Sequence, residues 1–214
     1  MNRTQISKTH VAIFLIWLFH LSGILGIIYG DAEWFVSATP LNLGISFALL
    51  IWCTFQTPKI IWVYLAAFTA GMLSEFLGVN YGLIFGDYVY GGALGPHWKG
   101  VPWFIGINWS MLTVITGIIA TEMVESIWGR VLLGVGLMLF LDLLIEPMAP
   151  VLDFWEFKGG TAPLQNYFGW ALVALPLHVL FQFLRLKPPF LYAVNLYTLQ
   201  VLFFLILLMR IFSA

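Results

Sequence analysis

The chain has 214 residues, of which 61% are hydrophobic and 9% charged, with a net charge of −1 and a mean hydropathy of +0.96. A soluble domain carries roughly a quarter charged residues, so this composition excludes an ordinary globular protein and indicates an integral membrane protein with little mass outside the bilayer. With no basic tract, the charge pattern argues against nucleic acid as a partner, and the lone Cys53 can form neither an intrachain disulfide nor a metal cluster.

Arg3 and Lys8 precede an apolar run over 11–29 that is too long for a signal peptide and lacks an Ala-x-Ala site, so it reads as a retained first span. Further apolar segments follow, giving seven in all, at 10–29, 40–56, 60–80, 102–121, 131–150, 167–184 and 190–212. Each is close to the length that crosses a hydrocarbon core about 30 Å thick, and the continuous apolar runs fit helices rather than barrel strands. The expected fold is therefore an all-α, polytopic helix bundle of about seven spans, a single transmembrane domain over 1–214. With the N-terminus inside, Arg3, Lys8, Lys59, Arg130, Arg185 and Lys187 are cytoplasmic against Lys99, Lys158 and Arg210 outside; six against three favours N-in, C-out.

The inner connections are short, as in Gln56-Thr57-Pro58-Lys59 and Leu186-Lys187-Pro188-Pro189, whereas the outer ones at 81–101 and 151–166 are long and rich in Gly, Pro and aromatics. Gly78, Gly82 and Gly86 have the small-xxx-small spacing that permits close helix contact if the stretch is helical. Beyond Asp87, Gly91, Gly92, Gly95, Pro96 and Gly100 break regularity and predict a folded loop covering a cavity, with Tyr81, Tyr88, Tyr90 and Trp98 packed at the interface.

Asp142 and Glu146 stand four residues apart in the fifth apolar run, so both side chains leave one helix face at membrane depth. An ionisable group there costs at least about 2.5–3.5 kcal/mol, and such groups usually mark a site or an internal partner. Two like charges one turn apart in a poor solvent cannot both ionise cheaply, and one carboxyl is expected to hold a proton at neutral pH, which makes it a competent general acid.

Ser74 and Glu75 in the third run, Asn108 in the fourth, Gln165 and Asn166 opening the sixth, and Asp87 and Asp153 in the outer loops share the same outer depth. Trp103, Trp109, Phe154, Trp155 and Trp170 flank these polar groups, and aromatic faces stabilise cations that water cannot reach. His20 and His178 are isolated in apolar helices and read as packed structural histidines. A bundle-fixing role for the carboxylates is the simpler alternative.

No His lies at ligand spacing from another His or a carboxylate, the Asp-rich repeats that hold magnesium diphosphate do not occur, neither nucleotide glycine fingerprint is present, and the seventh run has no lysine for a retinal Schiff base. What remains is cofactor-free acid/base chemistry, or binding and transport, within the membrane.

At these residues the chain resembles a known family. Ser74-Glu75-Phe76-Leu77-Gly78, Phe85-Gly86-Asp87-Tyr88-Val89-Tyr90, Gly100-Val101-Pro102-Trp103 with Asn108-Trp109, Asp142 to Pro147, Phe154-Trp155 and Asn166-Tyr167-Phe168-Gly169-Trp170 are similar, in order over about 70–172, to the membrane carotenoid-biosynthesis family that includes the carotenoid 1,2-hydratases and bisanhydrobacterioruberin hydratase. One departure is Glu156-Phe157 where the family pattern has a second tryptophan after Trp155. The resemblance implies a hydro-lyase of the cell membrane that adds water to the terminal C1–C2 double bond of an acyclic (ψ-end) carotenoid drawn from the lipid phase, alongside other carotenoid-pathway enzymes.

Under that reading Asp142 or Glu146 donates the proton, Glu75 and Asn108 position water, Trp103, Trp109 and Trp170 line the cation pocket, and Asp87, Tyr88, Trp155 and Asn166 complete the substrate site. Two rivals use the same carboxylates. A ψ-end cyclase would quench the cation with an internal alkene, and a transporter or binding protein would move or hold a proton or apolar lipid without product.

Overall fold

The computed structural model describes residues 7–186 and 189–212; Arg3 and Lys187 of the charge count lie outside them. The helices are α1 (Lys8–Tyr29), α2 (Ala32–Ser37), α3 (Thr39–Thr54), α4 (Ile60–Tyr81), α5 (Trp103–Met123), α6 (Ile127–Ile145), α7 (Leu164–Phe183) and α8 (Phe190–Phe212). Local chemistry sets their ends. Ser7, Asp31 and Ser126 cap α1, α2 and α6 by accepting the backbone N–H of His10, Trp34 and Gly129, and Pro163 directly precedes α7.

The protein is a polytopic helix bundle, and all seven expected apolar segments are helical. Six of these helices are long and apolar enough to cross a membrane; the second expected span, α3, is 16 residues. At 1.5 Å per residue it covers about 24 Å, short of a hydrocarbon core of about 30 Å. It starts at Thr39, directly after the separate short α2 and with Pro40 in its first turn, and ends at Thr54, two residues before the expected end. The fifth span also shifts: α6 runs from Ile127 to Ile145 rather than 131–150, because the chain turns at once into a compact loop through Pro147 and Pro150.

Central α5 contacts α3, α4, α6, α7 and α8, and every residue from Trp109 to Ala120 is buried. Large apolar side chains such as Phe14, Trp62, Leu132 and Phe168 are exposed on the outer helices, where a bilayer would solvate them.

The long outer loops fold together. β1 (Tyr88–Tyr90) pairs antiparallel with β4 (Trp155–Phe157), placing Tyr88 opposite Phe157 and Tyr90 opposite Trp155, while β2 (His97–Trp98) and β3 (Val101–Pro102) form a small hairpin. This joins the α4–α5 and α6–α7 connections into one cover over the outer end of the bundle. The glycine series has a different role from the expected helix contact. Only Gly78 lies within α4; Gly82 ends that helix at φ +66° and Gly86 takes φ +106° in the loop, conformations that favour glycine.

A carboxyl chamber between four helices and the outer cover

Helix α4 rides close on α5. A Cβ at Gly71 would lie 2.5–2.7 Å from the Trp109 side chain, so glycine there is what seats the indole. From that position Trp109 Nε1 donates to Glu75 Oε1 at 3.0 Å. Strand β1 supplies the other donors. Its period of two turns Tyr88 and Tyr90 inward and Val89 outward, and both phenols donate to Glu75 Oε2, Tyr90 at 2.7 Å. Burial, reinforced by the neighbouring Glu75 carboxyl, pushes both phenols above the usual tyrosine range, so they remain donors. Glu75 thus accepts three hydrogen bonds from neutral groups while only 5% exposed.

The second carboxyl group pair is built on α6. Glu146 keeps helical geometry (φ −49°, ψ −50°) and its N–H donates to Asp142 O at 2.9 Å, so the two side chains share one face. Asn166, in the first turns of α7, bridges them: its Nδ2 donates to Asp142 Oδ2 at 2.8 Å and to Glu146 Oε1 at 3.1 Å. Trp155 Nε1 donates to Glu146 Oε2 at 3.3 Å. Asp142 is 1% exposed, and its Oδ1 has no hydrogen-bond partner within normal bonding distance among the described residues.

These groups surround a partly open cavity of about 20 Å³, room for one water molecule, lined by Glu75, Glu146, Asn108, Asn166 and an aromatic wall of Phe85, Tyr88, Tyr90, Trp109, Trp155, Phe157 and Trp170. Trp109 and Trp170 stack with centroids 4.2 Å apart and planes 20° off parallel. Gly169 lets Ile84 and Phe85 close on α7, since a Cβ there would lie 2.5 Å from Ile84 O and 2.8 Å from the Phe85 ring. Across Ile105, Asn108, Ile145 and Trp155 the cavity adjoins a larger, mainly apolar hollow of about 90 Å³. Asn108 makes no side-chain hydrogen bond with the described residues and faces both spaces.

The structure therefore gathers Glu75, Tyr88, Asn108, Trp109, Glu146, Trp155, Asn166 and Trp170 on one cavity, with Asp142 behind Glu146. Two expected site residues stand elsewhere. Asp87 is at the surface, paired with Lys158 at 3.3 Å, because Gly86 turns the chain before β1 and leaves its side chain outside. Trp103 opens α5 facing outward, packed on Phe68 and Trp98 at 6.3 and 6.2 Å. Of the other outer polar groups, Ser74 bonds to Gly71 O, Gln165 to Gly82 O, and Asp153 accepts the N–H groups of Gly92 and Ala93; all serve the backbone.

Tyr90, Phe85 and Phe157 also line the cavity, although none is among the expected site residues. Strand alternation from Tyr88 could have identified Tyr90. Phe157, at the position where the chain departs from the family pattern, is placed by β4 pairing, which no local feature reveals. Among the described residues no group of three His, Cys, Asp or Glu side chains could hold a metal ion.

A helical membrane bundle with two buried carboxyl groups and a half-buried third around an aromatic chamber is the class this fold and site define. The chain belongs to the carotenoid biosynthesis protein family, whose model matches residues 37–214. It is thus a multi-pass membrane protein of carotenoid biosynthesis. No curated protein and no solved structure matches the chain.

Proposed function

We propose that the protein hydrates the terminal C1–C2 double bond of an acyclic carotenoid end without a cofactor, working in the cell membrane. The observation that carries this reading is the convergence of Glu75 and Glu146, with Asp142 behind Glu146, on one aromatic-lined cavity that adjoins an apolar hollow. The polyene lies in the hollow and presents its tip past Asn108 and Ile145. Glu146, which faces the cavity, gives its proton to C2, and the electron pair of the double bond forms the new C–H bond, leaving a tertiary cation at C1.

The stacked Trp109 and Trp170 and the ring of Phe85 offer π faces to that cation. A water held by Glu75 and Asn108 forms the C1–O bond and releases a proton to the carboxylate system, so one water is added and the acid is restored. Asp142 stands behind Glu146 through the Asn166 bridge and sets which of the pair holds the proton.

The test is expression in cells that make lycopene, with mass analysis of the pigments. Wild type is expected to yield a product heavier by one water per reacted end, and Asp142→Asn and Glu146→Gln to lose most of it. An isomer of unchanged mass would indicate cyclisation instead. Full hydration by both variants would overturn the roles given to the pair.

A further inference from the structure

The larger hollow carries polar groups that the chemistry above does not use. His20 on α1, Asn42 on α3 and Gln200 on α8 all line it, in a wall otherwise built by residues such as Leu43, Leu141 and Phe204. His20 is 5% exposed and Gln200 7%. His20 Nδ1 lies 2.8 Å from Ile16 O; a carbonyl only accepts, so Nδ1 carries the hydrogen and a neutral ring leaves Nε2 as an open acceptor. Gln200 Oε1 and Asn42 Oδ1 are buried without a partner, and neither amide bonds within the described residues.

Bundle-fixing polar groups look different here. On the same α8, Asn195 satisfies both ends of its amide, accepting from Trp17 Nε1 at 2.9 Å and donating to Leu191 O at 2.8 Å. Buried amides left open in an apolar hollow call for a partner that both donates and accepts. With no carboxylate or cationic side chain on this wall, neither a cation nor an anion fits it, and a neutral hydroxyl does.

The hollow also shares Thr39, Asn42 and Phe203 with a depression of about 330 Å³ lined by Leu18, Ile27, Trp34 and Phe35 of α1 and α2. The three polar groups thus sit between the lipid side and the carboxyl chamber.

We propose that His20, Asn42 and Gln200 form a hydroxyl-recognition site that takes the alcohol oxygen of a long isoprenoid chain occupying the hollow. The assignment rests on the polyene reading given under Proposed function. A chain end that has gained a hydroxyl meets these groups as it withdraws, so the site favours the alcohol over the parent hydrocarbon.

The test uses the full chain in phosphatidylcholine nanodiscs and two unreactive probes: a linear tetraterpene polyene with saturated ends, and the same chain with one terminal tertiary hydroxyl. Binding is read by quenching of tryptophan fluorescence. The hydroxylated probe is expected to bind about tenfold more tightly to wild type, as one or two neutral hydrogen bonds would give. Gln200→Met and Asn42→Leu should each reduce that preference to under about threefold.

Equal binding of the two probes by wild type overturns the hydroxyl site, including the case of a site that holds water only, and leaves the polyene reading standing. A preference that survives both substitutions overturns the assignment to these residues. Failure of both probes to bind overturns the polyene reading itself.

Discussion

Helices α5, α6 and α7 bury polar groups at two depths. Toward the inner side, Thr116 bonds to Leu112 O at 2.7 Å and to His178 Nε2 at 3.2 Å, His178 meets Met138 Sδ at 3.4 Å, and Thr121 pairs with Gln182 at 3.1 Å. Toward the outer side the same helices contribute Trp109, Asp142 and Asn166 to the carboxyl chamber. The inner groups bond among themselves and to backbone carbonyls and contain no carboxyl; His178 packs on Gly134, its Nδ1 is without a partner among the described residues, and Gln182 lines a separate hollow. The outer groups carry exchangeable protons next to a hollow. Burial of polar groups is therefore common to the two regions; a carboxyl group beside the aromatic cavity is what sets the outer one apart.

The comparison breaks most directly at Glu146. Glu146→Gln keeps an acceptor for Trp155 but removes the transferable proton, and turnover of a ψ-end carotenoid should fall at least about 100-fold while the protein still elutes as a folded species. Glu75→Gln should lower turnover about 10- to 100-fold and also destabilise the fold by about 1–3 kcal/mol in denaturant titration, because three donors then face an amide that accepts at one end only.

Gly71→Ala pushes on Trp109 from α4; an approximately tenfold loss of turnover with a shift in tryptophan emission is expected, since small displacements of a positioning group are costly. At the inner cluster, Thr116→Val should cost about 0.5–1.5 kcal/mol of stability and leave turnover within about twofold. Smallest of all, Asp87→Asn removes an exposed pair with Lys158 and should change stability by at most about 1 kcal/mol and turnover hardly at all. A large activity loss at Thr116 or Asp87 would remove the distinction between the two depths.

The helices were readable because apolar length is what the bilayer demands of a spanning segment. The carboxylates were readable because their cost in an apolar run singles them out. What local sequence could not supply was direction. Asp87 and Tyr88 are neighbours, yet the turn at Gly86 sends one to solvent and the other to Glu75. Trp103 and Trp109 share α5, and only the second falls on the face that Gly71 admits. The bridge from Asn166 to both carboxyls depends on how α7 packs against α6, and the pairing of β1 with β4 joins residues far apart in the chain.

His20 read as structural because it is isolated in sequence; its companions Asn42 and Gln200 come from α3 and α8 and meet it only in the folded bundle.

The central claim is that a proton from the buried carboxyls and an oxygen from water are delivered to one carotenoid end. Purified protein supplied with lycopene in heavy-oxygen water tests it most directly, by mass analysis of the product. The account predicts a tertiary alcohol carrying the heavy oxygen, formed by wild type and lost in Glu146→Gln. A cyclised isomer without added oxygen, or pigment bound and released unchanged, would contradict it.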